Sequence, residues 1–146
     1  LTAGGRIAIG SDSHISINPF EELRWLEYGQ RLVSQTRNIA SLRESHVGSE
    51  LFSRVHEGGA LASGQSVVGI EAGAPSDIVV LNDEDPMLAG HNDYSRLDAL
   101  VFSGYPLPVE RVMVDGKWCV EDAAHVDRDR ARTEFATTLE TIGSLS

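Results

Sequence analysis

The chemistry-bearing residues nearest the start of the chain form one short run, Gly10-Ser11-Asp12-Ser13-His14. It follows Ile7-Ala8-Ile9, an unbroken apolar run bounded by glycines, so residues 6–13 read as a short strand buried on both faces running into a polar loop. The polar run therefore falls at a strand's carboxyl end. In α/β folds ligands and catalytic groups gather there, because the loops converge over the sheet or barrel. An aspartate in that place can ligate a metal, act as a base, or do both. Ser11, Asp12 and Ser13 are equally able to make local turn hydrogen bonds, and Ser-Asp-Ser has little specificity by itself.

The other candidates carry less. His46, His56, His91 and His125 show neither His-x-His nor His-Glu-x-x-His spacing, so no zinc site assembles from sequence-adjacent ligands. His56 with Glu57 reads as a surface or packing pair, and His91 and His125 as solvated loop residues. Cys119, between Trp118 and Val120, reads as core, since no thiolate-stabilising partner is visible. The mixed charges of Asp127 to Arg132 read as a solvated helix face.

The elements that must position these residues follow from periodicity and punctuation. Asn18-Pro19-Phe20-Glu21 is a helix start: Asn18 caps, Pro19 takes the first helical position, and Glu21 can reach back in a capping box. Along this helix Arg24, Glu27 and Arg31 share one narrow face, expected to be solvated, with a Glu27–Arg31 pair. Leu23, Trp25, Leu26, Tyr28, Leu32 and Val33 spread over the rest, which predicts burial against two neighbours. A second helix opens at Ser49 or Glu50 and ends near Gly58-Gly59 or at Gly64. Strands are expected at Ile78–Leu81, Ala99–Phe102, Val109–Val114 and Lys117–Val120, the last two joined by Asp115-Gly116, a type I′ hairpin signal. Residues 82–98 are expected to be irregular. Asp127 caps a closing helix with Ala131, Phe135, Thr138, Leu139 and Ile142 on one face. Residues 1–64 thus read as α/β, 65–126 as mostly β, and 127–146 as a terminal helix. Neither half is self-sufficient, so partner strands are expected from absent sequence or another chain.

Composition sets the outer bounds. At 146 residues the length suits one domain, and 12 Lys+Arg against 22 Asp+Glu give a net charge of -10. That balance argues against a nucleic-acid partner, which needs clustered basic residues. No apolar run approaches the ~20 residues of a membrane span. A single cysteine cannot form an internal disulfide, and the reading is a reduced, cytoplasmic protein. The opening Leu1-Thr2-Ala3-Gly4-Gly5, without an initiator methionine, predicts that the chain begins inside a longer one.

Gly10 to His14, followed by Glu21-Glu22-Leu23-Arg24-Trp25-Leu26-Glu27-Tyr28-Gly29-Gln30-Arg31, resembles the carboxy-terminal part of the formimidoylglutamate deiminases, a branch of the amidohydrolase superfamily. Gly69 to Leu81 and Val112 to Trp118 are similar to the end of the superfamily's small β-domain. The resemblance implies a (β/α)8 barrel beside a small β-sandwich. Residues 1–64 would be the barrel's last strand and following helices, residues 65–126 the carboxy-terminal strands of the β-domain, and residues 127–146 the terminal helix. It implies that Asp12 is the catalytic aspartate, ligating or facing one divalent metal, zinc, and shuttling a proton while a formimino group is hydrolysed. The upstream His-x-His and the other histidine ligands of such enzymes are absent from this sequence. His14 follows closely enough to line the same cavity and is a substrate-binding candidate. The implied partner is a small-molecule substrate, in a homodimeric full-length enzyme. Two alternatives stay open: another deaminase of the superfamily acting on a guanine-like or s-triazine-like ring, and a non-catalytic assembly module. On the leading reading the isolated chain neither turns over substrate nor holds zinc tightly, since one carboxylate is too few ligands.

Overall fold

A helix-start signature as complete as Asn18-Pro19 should set the chain's first regular element, and it does. The computed structural model describes residues 4–13, 15–41, 46–65, 69–104 and 106–144, and its first helix, α1, spans Pro19–Ser34. The Asn18 side chain accepts the amides of Phe20 and Glu21 at 3.0 and 3.3 Å, satisfying two free donors of the first turn. Helices α2 (Val47–Ala62) and α3 (Ser95–Phe102) complete a helical unit drawn from Leu1–Ala74 and Asp83–Pro108. The second unit, Pro75–Asn82 with Val109–Ser146, holds an antiparallel sheet and helix α4 (Arg128–Gly143).

The helical unit closes over Leu23, Ala40, Val47, Leu51 and Val101, with Ile9, Phe20, Val55 and Phe102 packed against them. Three expectations are corrected here. Ile7 to Ile9 join no strand ladder among the described residues. A parallel-type strand takes its hydrogen bonds from neighbouring strands, and this stretch has none; its side of the packing is met by α2 instead. Helix α2 runs through Gly58 and Gly59, and the Ile7 carbonyl lies so close to Gly58 that any side chain at 58 would overlap it. Ala99 to Phe102 are helical, the second half of α3, and lie in the helical unit. Four consecutive apolar residues do not distinguish strand from helix. The deciding signal is upstream, where the Asn92 side chain accepts the Tyr94 and Ser95 amides at 3.1 and 2.9 Å. That start lies inside the stretch expected to be irregular.

The third correction concerns the faces of α1. Glu27 is fully buried, whereas Trp25, Leu32 and Val33 are 58%, 71% and 81% exposed. The face carrying Glu27 and Arg31 points inward with Leu23 and Phe20, and the wide apolar arc points away. Burial is tolerated because the carboxylate is saturated: it accepts the Arg31 Nε at 2.7 Å and the Ile39 and Ala40 amides at 3.1 and 2.9 Å. The Arg31 guanidinium lies beside the Tyr28 and Phe102 rings, at 5.3 and 5.2 Å from their centres.

In the second unit the sheet order is β1 (Ile78–Leu81), β2 (Val109–Val114), β3 (Lys117–Glu121), β4 (Ala124–His125). Asp115 and Gly116 have φ of 48° and 73°, the positive pair that a two-residue type I′ turn requires. The Asp77 carboxylate also accepts the Asp115 amide at 2.8 Å, tying β1's start to that turn. A second tight turn, Asp122-Ala123 with φ of 49° and 56°, leads into β4, which lacks a glycine signal in the sequence. Helix α4 begins after Asp127, as expected, although the Asp127 side chain makes no capping hydrogen bond. No residue of α4 is buried. No helix among the described residues is long and apolar enough to cross a membrane.

Candidate functional site

Asp12 sits on a turn between the Ile7–Ile9 segment and α1, with a φ of 37°. That left-handed region suits Asp, whose short polar side chain tolerates it better than most. Its carboxylate is exposed and accepts one described hydrogen bond, from the Ser13 hydroxyl at 3.2 Å. Of the two uses of Ser-Asp-Ser weighed from the sequence, the local one is seen, with Ser13 donating to Asp12, while the second carboxylate oxygen meets no partner among the described residues. His14 lies outside the described residues. Among the described residues no group of three His, Cys, Asp or Glu side chains could hold a metal ion. Asp12 can thus supply one oxygen ligand, and the described residues do not complete a metal site around it.

The remaining histidines are accounted for by packing. His56 stacks on Phe52 at 5.8 Å between ring centres, His91 Nδ1 meets the Ser95 hydroxyl at 3.1 Å, and His125 Nδ1 accepts the Asp127 amide at 3.0 Å. His46 is different. Its Nδ1 lies 2.5 Å from Asp98 Oδ2, while Asp98 Oδ1 accepts the Gly48 amide at 2.6 Å. One carboxylate from α3 thereby serves the first turn of α2 and orients the imidazole in front of it. Nothing local in the sequence marks this contact, since its partners are remote along the chain. Cys119 is half-buried on β3, its thiol 3.4 Å from the Val112 carbonyl, in keeping with a packing role. Arg24, expected to be solvated, lies over Gly104 at the wall of an open groove of about 450 Å3 that it shares with Trp25, Tyr28 and Pro106.

The chain has a counterpart among solved amidohydrolases. The chain superposes on an amidohydrolase from Brucella melitensis with a TM-score of 0.85 and 37% identity, covering 96% of this chain and 31% of that one. It also superposes on the atrazine chlorohydrolase TrzN of Arthrobacter aurescens TC1, solved in complex with zinc, with a TM-score of 0.67 over 89% of this chain. At 24% identity that likeness bears on the fold alone. More particularly, the chain is 40% identical over 140 residues to formimidoylglutamate deiminase of Pseudomonas aeruginosa, which is 95% of this chain and 31% of that protein. The chain thus spans about a third of the length of both relatives, 31% in each case. No family model matches it. The resemblance read from Gly10 to Arg31 is borne out, in sequence and in fold.

Proposed function

We propose that this chain is the carboxy-terminal portion of a metal-dependent hydrolase that converts N-formimino-L-glutamate to N-formyl-L-glutamate and ammonia. The observation that carries the reading is the 40% identity to formimidoylglutamate deiminase across 95% of the chain. On this reading the Ile7–Ile9 segment is the last strand of a (β/α)8 barrel, paired once the preceding strands are present. The sheet of β1 to β4 is part of a small β-sandwich.

Asp12 is the catalytic group of the proposal. Water adds to the formimino carbon, and Asp12 takes its proton. Asp12 returns that proton to the imino nitrogen, which becomes an amino group; the C–N bond to it then breaks as the hydroxyl of the adduct gives up its proton to the same nitrogen, leaving the formyl carbonyl and ammonia. A divalent metal, zinc, belongs to the full-length protein, with Asp12 giving one oxygen and the other ligands coming from outside this chain. Bound there, it acidifies the attacking water. Ser13, bonded to one carboxylate oxygen, holds Asp12 in orientation. His14 is proposed to contact the substrate, and the enzyme to work in the cytoplasm.

The test is ammonia release by the full-length protein carrying this chain, offered N-formimino-L-glutamate and, separately, guanine and an s-triazine. Release from N-formimino-L-glutamate, lowered about 10²–10⁴-fold by Asp12→Asn with the fold intact, is the expected result. Activity on a ring substrate alone rejects the proposed substrate, and full activity in the variant rejects the role of Asp12.

A further inference from the structure

Asp115-Gly116 is the single Asp-Gly step of the sequence, and no Asn-Gly occurs in it. Such a step carries its own electrophile and nucleophile, the Asp carboxyl carbon and the next backbone nitrogen. Attack of the Gly116 nitrogen on Asp115 Cγ forms a C–N bond and closes a succinimide ring. The carboxyl hydroxyl leaves with the amide proton as water. A second water then opens the ring at either carbonyl, restoring aspartate or leaving isoaspartate, with no net change of mass. Glycine puts no side chain in the way of the attack. Both residues are exposed at the tip of the β2–β3 hairpin, so water is at hand for ring opening.

The fold opposes this attack from one side, the start of β1. The Gly116 amide donates to the Ser76 carbonyl at 3.2 Å, and the Asp115 amide donates to the Asp77 carboxylate at 2.8 Å. An acceptor thus holds on the nucleophile the proton that must leave it. The peptide planes on both sides of Asp115 are fixed, whereas ring closure must turn the second of them toward Cγ. The Asp115 φ of 48° belongs to the type I′ turn that these bonds preserve. Ser76 and Asp77 lead directly into β1 and are themselves exposed, so they stay in place only while β1 pairs with β2.

We propose that Asp115-Gly116 is a latent isomerisation site, closed while Ser76 and Asp77 bind the hairpin turn and open when β1 leaves β2. Isoaspartate at 115 routes the main chain through the side-chain carbon and lengthens the turn. The two-residue loop that sets Val114 against Lys117 is then lost, so a chain that has once released β1 keeps a lasting mark of it. This stands apart from the proposed deiminase activity.

The test incubates the intact protein carrying this chain at neutral pH, folded or in urea. Isoaspartate at 115 is followed by peptide mapping with a protease that cuts before aspartate but not before isoaspartate. Accumulation is expected to be at least about tenfold faster in urea than in the folded protein. Asp77→Ala should speed the folded reaction about fivefold, the ratio that one hydrogen bond of ordinary net strength represents, while staying below the rate in urea. Asp77→Asn, which keeps an acceptor for the Asp115 amide, should stay near the parent rate. Equal rates in the folded and unfolded protein overturn the proposal. So does an Asp77→Ala protein that isomerises no faster than the parent, or an Asp77→Asn protein that isomerises as fast as the alanine variant.

Discussion

The carboxylate of Glu27 and the backbone amide of Ala40 are 2.9 Å apart inside the helical unit, thirteen residues distant in sequence. With the Ile39 amide and Arg31, this contact folds the chain leaving α1 back against the helix it has just left. It also reverses the expected orientation of α1, since a charged residue here anchors the core.

Glu27→Ala should therefore destabilise the chain by about 3 kcal/mol, because two buried amides and one guanidinium lose their acceptor together. Glu27→Gln should cost less, as its carbonyl can still accept one amide. Urea unfolding of the two variants beside the parent checks both the size and the order. Equal stability of all three would mean the turn after α1 is held elsewhere.

Neighbouring glycines on α2 should respond in opposite directions. At Gly58 a methyl group meets the Ile7 carbonyl, so Gly58→Ala should cost about 1–3 kcal/mol. At Gly59 nothing lies within 4 Å, and Gly59→Ala should gain about 0.5–1 kcal/mol by stiffening the unfolded chain. Thermal unfolding of the pair reads the sign directly.

Asp98→Ala should cost about 1–2 kcal/mol and speed hydrogen exchange at the Gly48 amide, the group its carboxylate caps. Asp98→Asn, which keeps an acceptor for Gly48, should retain most of the protection there. Exchange rates unchanged in the alanine variant would place the cap with another group.

The turn before β4 offers a gain. Ala123 holds a φ of 56°, where a β-carbon is strained, so Ala123→Gly should raise stability by about 0.5 kcal/mol. Gly116→Ala, at a φ of 73° in the preceding hairpin, should lower it. Melting temperatures of the two variants test this contrast.

What could be read from the sequence was what local chemistry decides. Asn18-Pro19 marked the start of α1, Asp115-Gly116 marked the hairpin, and Gly10 to Ser13 marked a turn carrying an open carboxylate. What escaped depends on remote residues. The inward face of α1 is set by the amides of Ile39 and Ala40, and the helical state of Ala99 to Phe102 by a start at Asn92 and packing on α2. β4 follows a turn made by Asp122 and Ala123, neither of which announces a positive φ. For the candidate site, the Asp12 carboxylate was legible because it stands on a local turn.

The register of the sheet has a consequence for the order of folding. β2 and β3 meet across a two-residue turn, whereas Ile78 of β1 pairs with Met113 of β2 only after the chain has passed through α3 in the other unit. Closing the hairpin fixes a few residues, while closing β1 onto β2 must also confine the whole α3 excursion. The hairpin can therefore form at once, and β1 should be the last strand to acquire protected amides, its arrival coupled to the docking of α3 on α2. The order of folding thus ties the two units together, with β1 as the knot.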